Sequence, residues 1–137
     1  MDKQFTMLKG KEIIVGITGG IAVYKTAELV RELTRKGANV HVVMSKNSME
    51  FVTPLTFQTL SGNQVIHEMF ELWRGSKIGH IALSDIADQM VIVPATANVI
   101  GKIANGIADD FLTTMVMATT IPILFVPSMN TKMYEHP

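Results

Sequence analysis

The sequence predicts an α/β fold built on a parallel sheet, and three observations carry that prediction. The runs Glu12–Ile17, Asn39–Met44, Met90–Val93 and Ile121–Val126 are short, apolar and rich in β-branched residues, as buried strands are. Glu12–Ile17 is apolar nearly throughout, the pattern of a central parallel strand rather than a half-exposed one. The first two runs flank a helical segment within roughly thirty residues, which makes a βαβ unit with a crossover that is right-handed as a rule.

Residues 1–10 are polar and are expected to form a frayed terminus. After the first strand, Thr18-Gly19-Gly20-Ile21-Ala22 makes a tight turn into a helix whose apolar stripe is Val23, Ala27, Val30 and Leu33. Arg35, Lys36 and Gly37 close it, with basic groups at the negative end of the dipole and a glycine cap. Beyond the second strand, Asn47–Val52 reads as a short helix stopped by Pro54, and Pro54–Leu60 as another closed by Ser61-Gly62. Val65–Phe70 reads as a short strand, Trp73–Gly79 as a polar loop, and Ile81–Asp88 as a helix after His80. The third strand is bounded by Pro94. It leads into the small, polar stretch Pro94–Thr114, where helical spacing resumes through Ile100, Ile103 and Ile107 and then Leu112, Met115 and Val116. The last strand exits through Pro127-Ser128-Met129-Asn130.

At 137 residues the chain is expected to be one domain, long enough for a core without staples. Twelve basic and twelve acidic residues balance with no basic stripe, which argues against a nucleic-acid partner. Cysteine is absent, excluding a disulfide framework and a thiolate metal site and suiting a cytoplasmic setting. Ten methionines and a mean hydropathy of +0.28 hint at surface buried against other subunits. The stretch Phe111–Pro127 is too short and interrupted to span a membrane, and residues 1–10 lack the apolar core of a signal peptide.

A strand that ends in a small polar turn before a helix is where α/β proteins bind ligands. Gly19-Gly20 offers backbone amides at a helix start, an anion site, or is simply a tight turn. A dinucleotide site calls for a third glycine and an acidic residue about twenty positions on. Here the third glycine is missing and no Asp or Glu lies between Thr34 and Met49. Ser45 ends the second strand instead, and its hydroxyl suits the terminal phosphate of a mononucleotide. An unperturbed histidine is the default proton carrier near neutral pH, which makes His80 a candidate, though by itself a capping or surface role fits it better. Asp109-Asp110 suits Mg²⁺ or, preferably, the acidic first turn of a helix. His41, His67 and His136 show no metal-ligand spacing, so no metal is expected, and the nucleophile elbow of a serine hydrolase is absent. Asn98 and Asn130 each follow a proline-led turn at a strand end. They either cap helices or converge on one cleft.

Four blocks together resemble the flavin-containing cysteine decarboxylases: Gly16–Lys25, His80-Ile81, Pro94–Asn98 with Gly106–Asp110, and Pro127–Tyr134. The last is a Pro-x-Met-Asn-x-x-Met signature, with Tyr134 where Trp is usual. The resemblance implies a Rossmann-like, flavodoxin-like three-layer sandwich with a parallel sheet. It also implies bound FMN, a small-molecule substrate, and a homotrimer or a dodecamer of trimers with the flavin near a subunit boundary. It assigns Gly19, Gly20, Ile21, Ala22, Ser45, Ala95, Thr96, Ala97, Asn98 and Ser128 to the cofactor, and His80 as the catalytic base. Asn130 and Met133 fall to the substrate, with the Asn130 amide gripping its carboxylate. The implied reaction oxidises the cysteine of 4′-phospho-N-pantothenoylcysteine to a thioaldehyde, expels carbon dioxide, and returns the electrons to give 4′-phosphopantetheine.

The resemblance also implies a downstream flap with a proton-donating Cys, which this chain lacks. The chain is therefore expected to be truncated before the flap and to stall before the final reduction. The alternatives are a peptidyl-cysteine decarboxylase of the same family and a non-catalytic FMN-binding regulatory subunit. The pairing of His80 with Asn130 argues against the second.

Overall fold

The structure is a computed structural model and describes residues 3–68 and 80–137. Four parallel strands, β1 (Glu12–Ile17), β2 (Asn39–Met44), β3 (Gln89–Ala95) and β4 (Ile123–Pro127), form one sheet in the order β2-β1-β3-β4. The helices are α1 (Val23–Arg35), α2 (Pro54–Ser61), α3 (His80–Ile86), α4 (Ala97–Ala104), α5 (Phe111–Ala118) and α6 (Thr131–Tyr134).

Side chains alternate across each strand, so neighbouring residues serve opposite faces of the sheet. Val15, Ile17, Val40, Val42 and Met44 face α1 and α2, where they meet Val23, Val30 and Phe57. Ile14, Val43, Met90 and Ile92 face the other way and meet Leu83 of α3 and Phe111, Leu112 and Met115 of α5. Two apolar cores on either side of one parallel sheet make the expected three-layer α/β sandwich.

The first three strands are where the apolar runs put them, but four expectations are corrected. Residues 3–6 form a turn of 3-10 helix, Leu8 packs on the α1 side of the core, and its amide donates to Lys36 O at 2.8 Å, so the terminus is tied down. β3 continues through Pro94 to Ala95; the missing proline amide falls where the pairing with β4 shifts register between Ile92 and Ala95. The Val93–Pro94 peptide is cis. The helical spacing through Ile107 breaks at Ala104, because Gly106 takes φ +71° and turns the chain, leaving Ile107 46% exposed. In place of the strand at Val65–Phe70 there is a single bridge from Ile66 to Val43; residues 69 and 70, like the Trp73–Gly79 loop, lie outside the described residues.

Chain direction creates the functional crevice. From β1 the chain crosses to β2 on one side, and from β3 it crosses to β4 on the other. The loops leaving β1 and β3 therefore diverge, and a cleft opens between them at the carboxyl ends of the strands.

Candidate functional site

Every strand contributes to that cleft, which has a volume of about 790 Å³, within the usual range for cofactor sites. Gly19, Gly20 and Ile21 come from the end of β1, Ser45 to Asn47 from the end of β2, Thr96 to Val99 from β3, and Ser128 to Asn130 from β4. Lys102, Asp109, Asp110 and Met133 close the remaining side.

At the β1–β2 end the walls are held close. A Cβ added to Gly19 would lie 2.5 Å from Asn47 Cβ, so only glycine lets the two loops touch. Among the described residues, the amides of Gly19, Ile21 and Ala22 have no acceptor within the chain. Ser45 is 8% exposed, and its Oγ accepts from the Ser48 amide at 3.3 Å. Its hydroxyl proton has no acceptor among the described residues and remains available to a ligand. Free amides at the head of α1, a buried hydroxyl and the neighbouring Lys46 together suit a phosphate group.

Thr18 sets the distance between the β1 and β3 loops. Fully buried, its hydroxyl donates to Pro94 O at 2.5 Å and accepts from the Thr96 amide at 3.0 Å. Thr96 in turn caps α4, accepting from the Val99 amide at 3.3 Å. This places Ala97 and Asn98 in the first turn of α4, along the cleft wall.

At the β4 end, Asn130 caps α6: its Oδ1 accepts from the Met133 amide at 3.0 Å. The cap fixes which way the amide points. With Oδ1 committed to the helix, the Nδ2 donors are left without an acceptor among the described residues and border the cleft. Both roles open for Asn130 are thus compatible, whereas Asn98 is not a cap.

The acidic pair divides its work. Asp110 forms a capping box with Thr113 at the head of α5. Asp109 instead binds Lys102, whose Nζ lies 2.9 and 3.1 Å from its two carboxylate oxygens. That contact holds the Asp109 carboxyl below its usual range and the Lys102 ammonium above its own. The cation on this wall of the cleft is therefore already neutralised.

Of the residues expected from sequence, the structure brings Gly19, Gly20, Ile21, Ser45, Thr96, Ala97, Asn98, Ser128, Asn130 and Met133 to one cleft. Ala22 and Ala95 are not among its lining residues. Ala22 precedes α1, and Ala95 is fully buried with its carbonyl accepting from the Ser128 amide at 3.1 Å. His80 is the first residue of α3; its side chain lies outside what is described. Sequence reasoning missed Thr18, Lys46, Asn47, Val99, Lys102 and Met129. Only Lys46 and Asn47 carried a signal, as polar residues directly after a strand end.

The flavoprotein family model matches residues 1–137. The chain belongs to the flavoprotein family. It is 49% identical over 131 residues to the coenzyme A biosynthesis bifunctional protein CoaBC of Bacillus subtilis (strain 168), covering 96% of this chain and 32% of that protein. It is 42% identical over 128 residues to the protein of the same name in Escherichia coli (strain K12), covering 93% of this chain and again 32% of the relative. The chain thus spans about a third of the length of the curated relatives it matches. Among solved structures, the FMN-dependent cysteine decarboxylase SpaF superposes with a TM-score of 0.84 at 30% identity, over 95% of this chain and 75% of that one. A PPC decarboxylase complexed with pantothenoylaminoethenethiol superposes with a TM-score of 0.77 at 32% identity, over 93% and 71%.

Proposed function

We propose that this domain binds FMN and decarboxylates 4′-phospho-N-pantothenoylcysteine to 4′-phosphopantetheine, as one part of a longer coenzyme A biosynthesis protein. The observation that carries the proposal is the single cleft whose one end presents free amides and the Ser45 hydroxyl while its other presents the Asn130 amide donors. The first end fits the phosphate of FMN, and the Thr96–Asn98 wall between the ends fits its ring system. When bound, the flavin supplies the two-electron chemistry that turns the cysteine carboxylate into a leaving group.

The chain's own residues bind and orient. Asn130 donates to the substrate carboxylate, with the cap to Met133 holding the amide in that orientation. Met133 gives the substrate an apolar wall. His80 is proposed as the base. In support, α3 ends at Ile86, three residues before β3 begins, so the start of the helix lies towards the carboxyl side of the sheet, where the cleft is. The donor of the final proton is proposed to be a Cys outside these 137 residues, which contain none. A homotrimer in the cytoplasm remains part of the proposal, and the mass of the assembly in solution tests it.

What supports this substrate is the identity to the coenzyme A biosynthesis proteins, 49% and 42% over nearly the whole chain. A peptide ending in cysteine offers the same thiol and carboxylate to the site, which keeps the peptidyl-cysteine reading as the alternative. The test is carbon dioxide release by flavin-loaded protein from the phosphopantothenoyl substrate and from a peptide ending in cysteine, with wild type beside His80→Asn. Release from the first substrate that is lost in the variant is expected. Release only from the peptide would move the assignment, and full release by His80→Asn would remove the base.

A further inference from the structure

Beyond Asn130, a second cavity of about 730 Å³ opens beside the cleft, lined by Ala97, Asn130, Thr131, Lys132, Met133 and His136. Ala97, Asn130 and Met133 line both spaces, so the two are continuous around the residue proposed to hold the substrate carboxylate. Its surface is largely apolar, and its charge comes from one side chain. Lys132 has no ion-pair partner among the described residues, whereas Lys102 in the main cleft is bound by both oxygens of Asp109. The main cleft's other lysine, Lys46, stands at the β1–β2 end beside Ser45.

We infer that this second cavity is the subsite for the far end of the substrate, an uncharged stem ending in a phosphate monoester, with Lys132 as the cation that selects the phosphate. The inference rests on the proposed assignment of the reacting cysteine to Asn130. Around Asn130 the described residues line two spaces in which a molecule held by its carboxylate can extend. One is the main cleft, which the cofactor fills, and the other is the second cavity past Met133. The methyl and methylene groups of the stem gain by resting on the apolar wall, its amides and hydroxyl stay hydrated because the cavity is open to water, and an unpaired ammonium in the lining favours an anion over a neutral or cationic terminus. Lys132 is a specificity-determining residue in this scheme. His136, on the same cavity, supplies a second hydrogen-bonding group.

The test compares the flavin-loaded wild type with Lys132→Ala and Lys132→Arg. The dissociation constants of 4′-phosphopantetheine and pantetheine, which differ only by the phosphate, are measured at low and high salt. Wild type should prefer the phosphorylated compound, and Lys132→Ala should cut that preference by about tenfold, the size of one charge-assisted hydrogen bond at an exposed site. Lys132→Arg should restore most of it, and added salt should weaken the preference in wild type more than in the alanine variant. An unchanged ratio in Lys132→Ala overturns the inference, as does equal binding of the two compounds by wild type. Binding is read without turnover, so a protein that prefers the phosphate yet releases no carbon dioxide keeps this inference and loses the proposed activity. One that releases carbon dioxide without the preference does the reverse.

Discussion

Replacing Gly19 by alanine should loosen the cofactor end of the cleft, and the structure gives the size of the effect. The new Cβ would lie 2.5 Å from Asn47 Cβ, 3.0 Å from its carbonyl carbon and 3.3 Å from its Cα. Unbonded carbons rest at about 3.5–4.0 Å, so the β1–α1 turn must retreat from the β2 end by roughly 1 Å. Two of the three atoms are backbone, and no rotamer change relieves them. Overpacking of this kind costs about 1–3 kcal/mol, which lowers the melting temperature of a domain this size by roughly 3–10 °C. The same retreat carries the free amides of Gly19, Ile21 and Ala22 away from Ser45, so FMN affinity should fall about tenfold or more. Flavin fluorescence titration and a melting curve without flavin measure the two effects separately. Gly20→Ala is the control for stability: its Cβ meets only Thr96 Cγ2 at 3.6 Å and Pro94 Cγ at 3.9 Å, ordinary contacts, and its melting temperature should stay near wild type. A Gly19→Ala protein that melts and binds FMN like wild type would refute the reasoning.

Asp110→Ala removes the cap of α5, whose Phe111, Leu112 and Met115 enter the core; urea unfolding should show a loss of about 1 kcal/mol, with Asp110→Asn recovering most of it. Glu12 governs part of the acid stability. Burial raises its pKa, but hydrogen bonds with Asn39 and His41 outweigh this and leave it lowered. A carboxyl with a lowered folded pKa stabilises the fold above its unfolded pKa, and that contribution is lost as pH falls through the folded value. Urea midpoints followed from pH 6 downwards should therefore drop less steeply below pH 5 in Glu12→Gln than in wild type, and parallel curves would exclude the effect.

Sequence alone determined the layers and most strand positions of this protein. Glu12–Ile17 and Asn39–Met44 appear with the expected bounds because strands buried on both faces must be apolar almost throughout, which is visible one residue at a time. It also determined the composition of the cleft, since Gly19, Gly20, Ser45, Thr96 and Asn130 lie at strand ends whose direction follows from the βαβ rule. Tertiary structure decided what those residues do. The Thr18 bond to Pro94 O spans 76 residues and the contact of Gly19 with Asn47 joins two loops, neither of which leaves a local pattern. Spacing likewise does not reveal that Asn130 spends its oxygen on Met133 and leaves its amide protons for the cleft, or that Asp109 neutralises Lys102 while Lys132 has no ion-pair partner among the described residues. Periodicity records which face of an element is buried. The partners of a polar atom depend on distances across the fold, and those exist only once the chain has closed on itself.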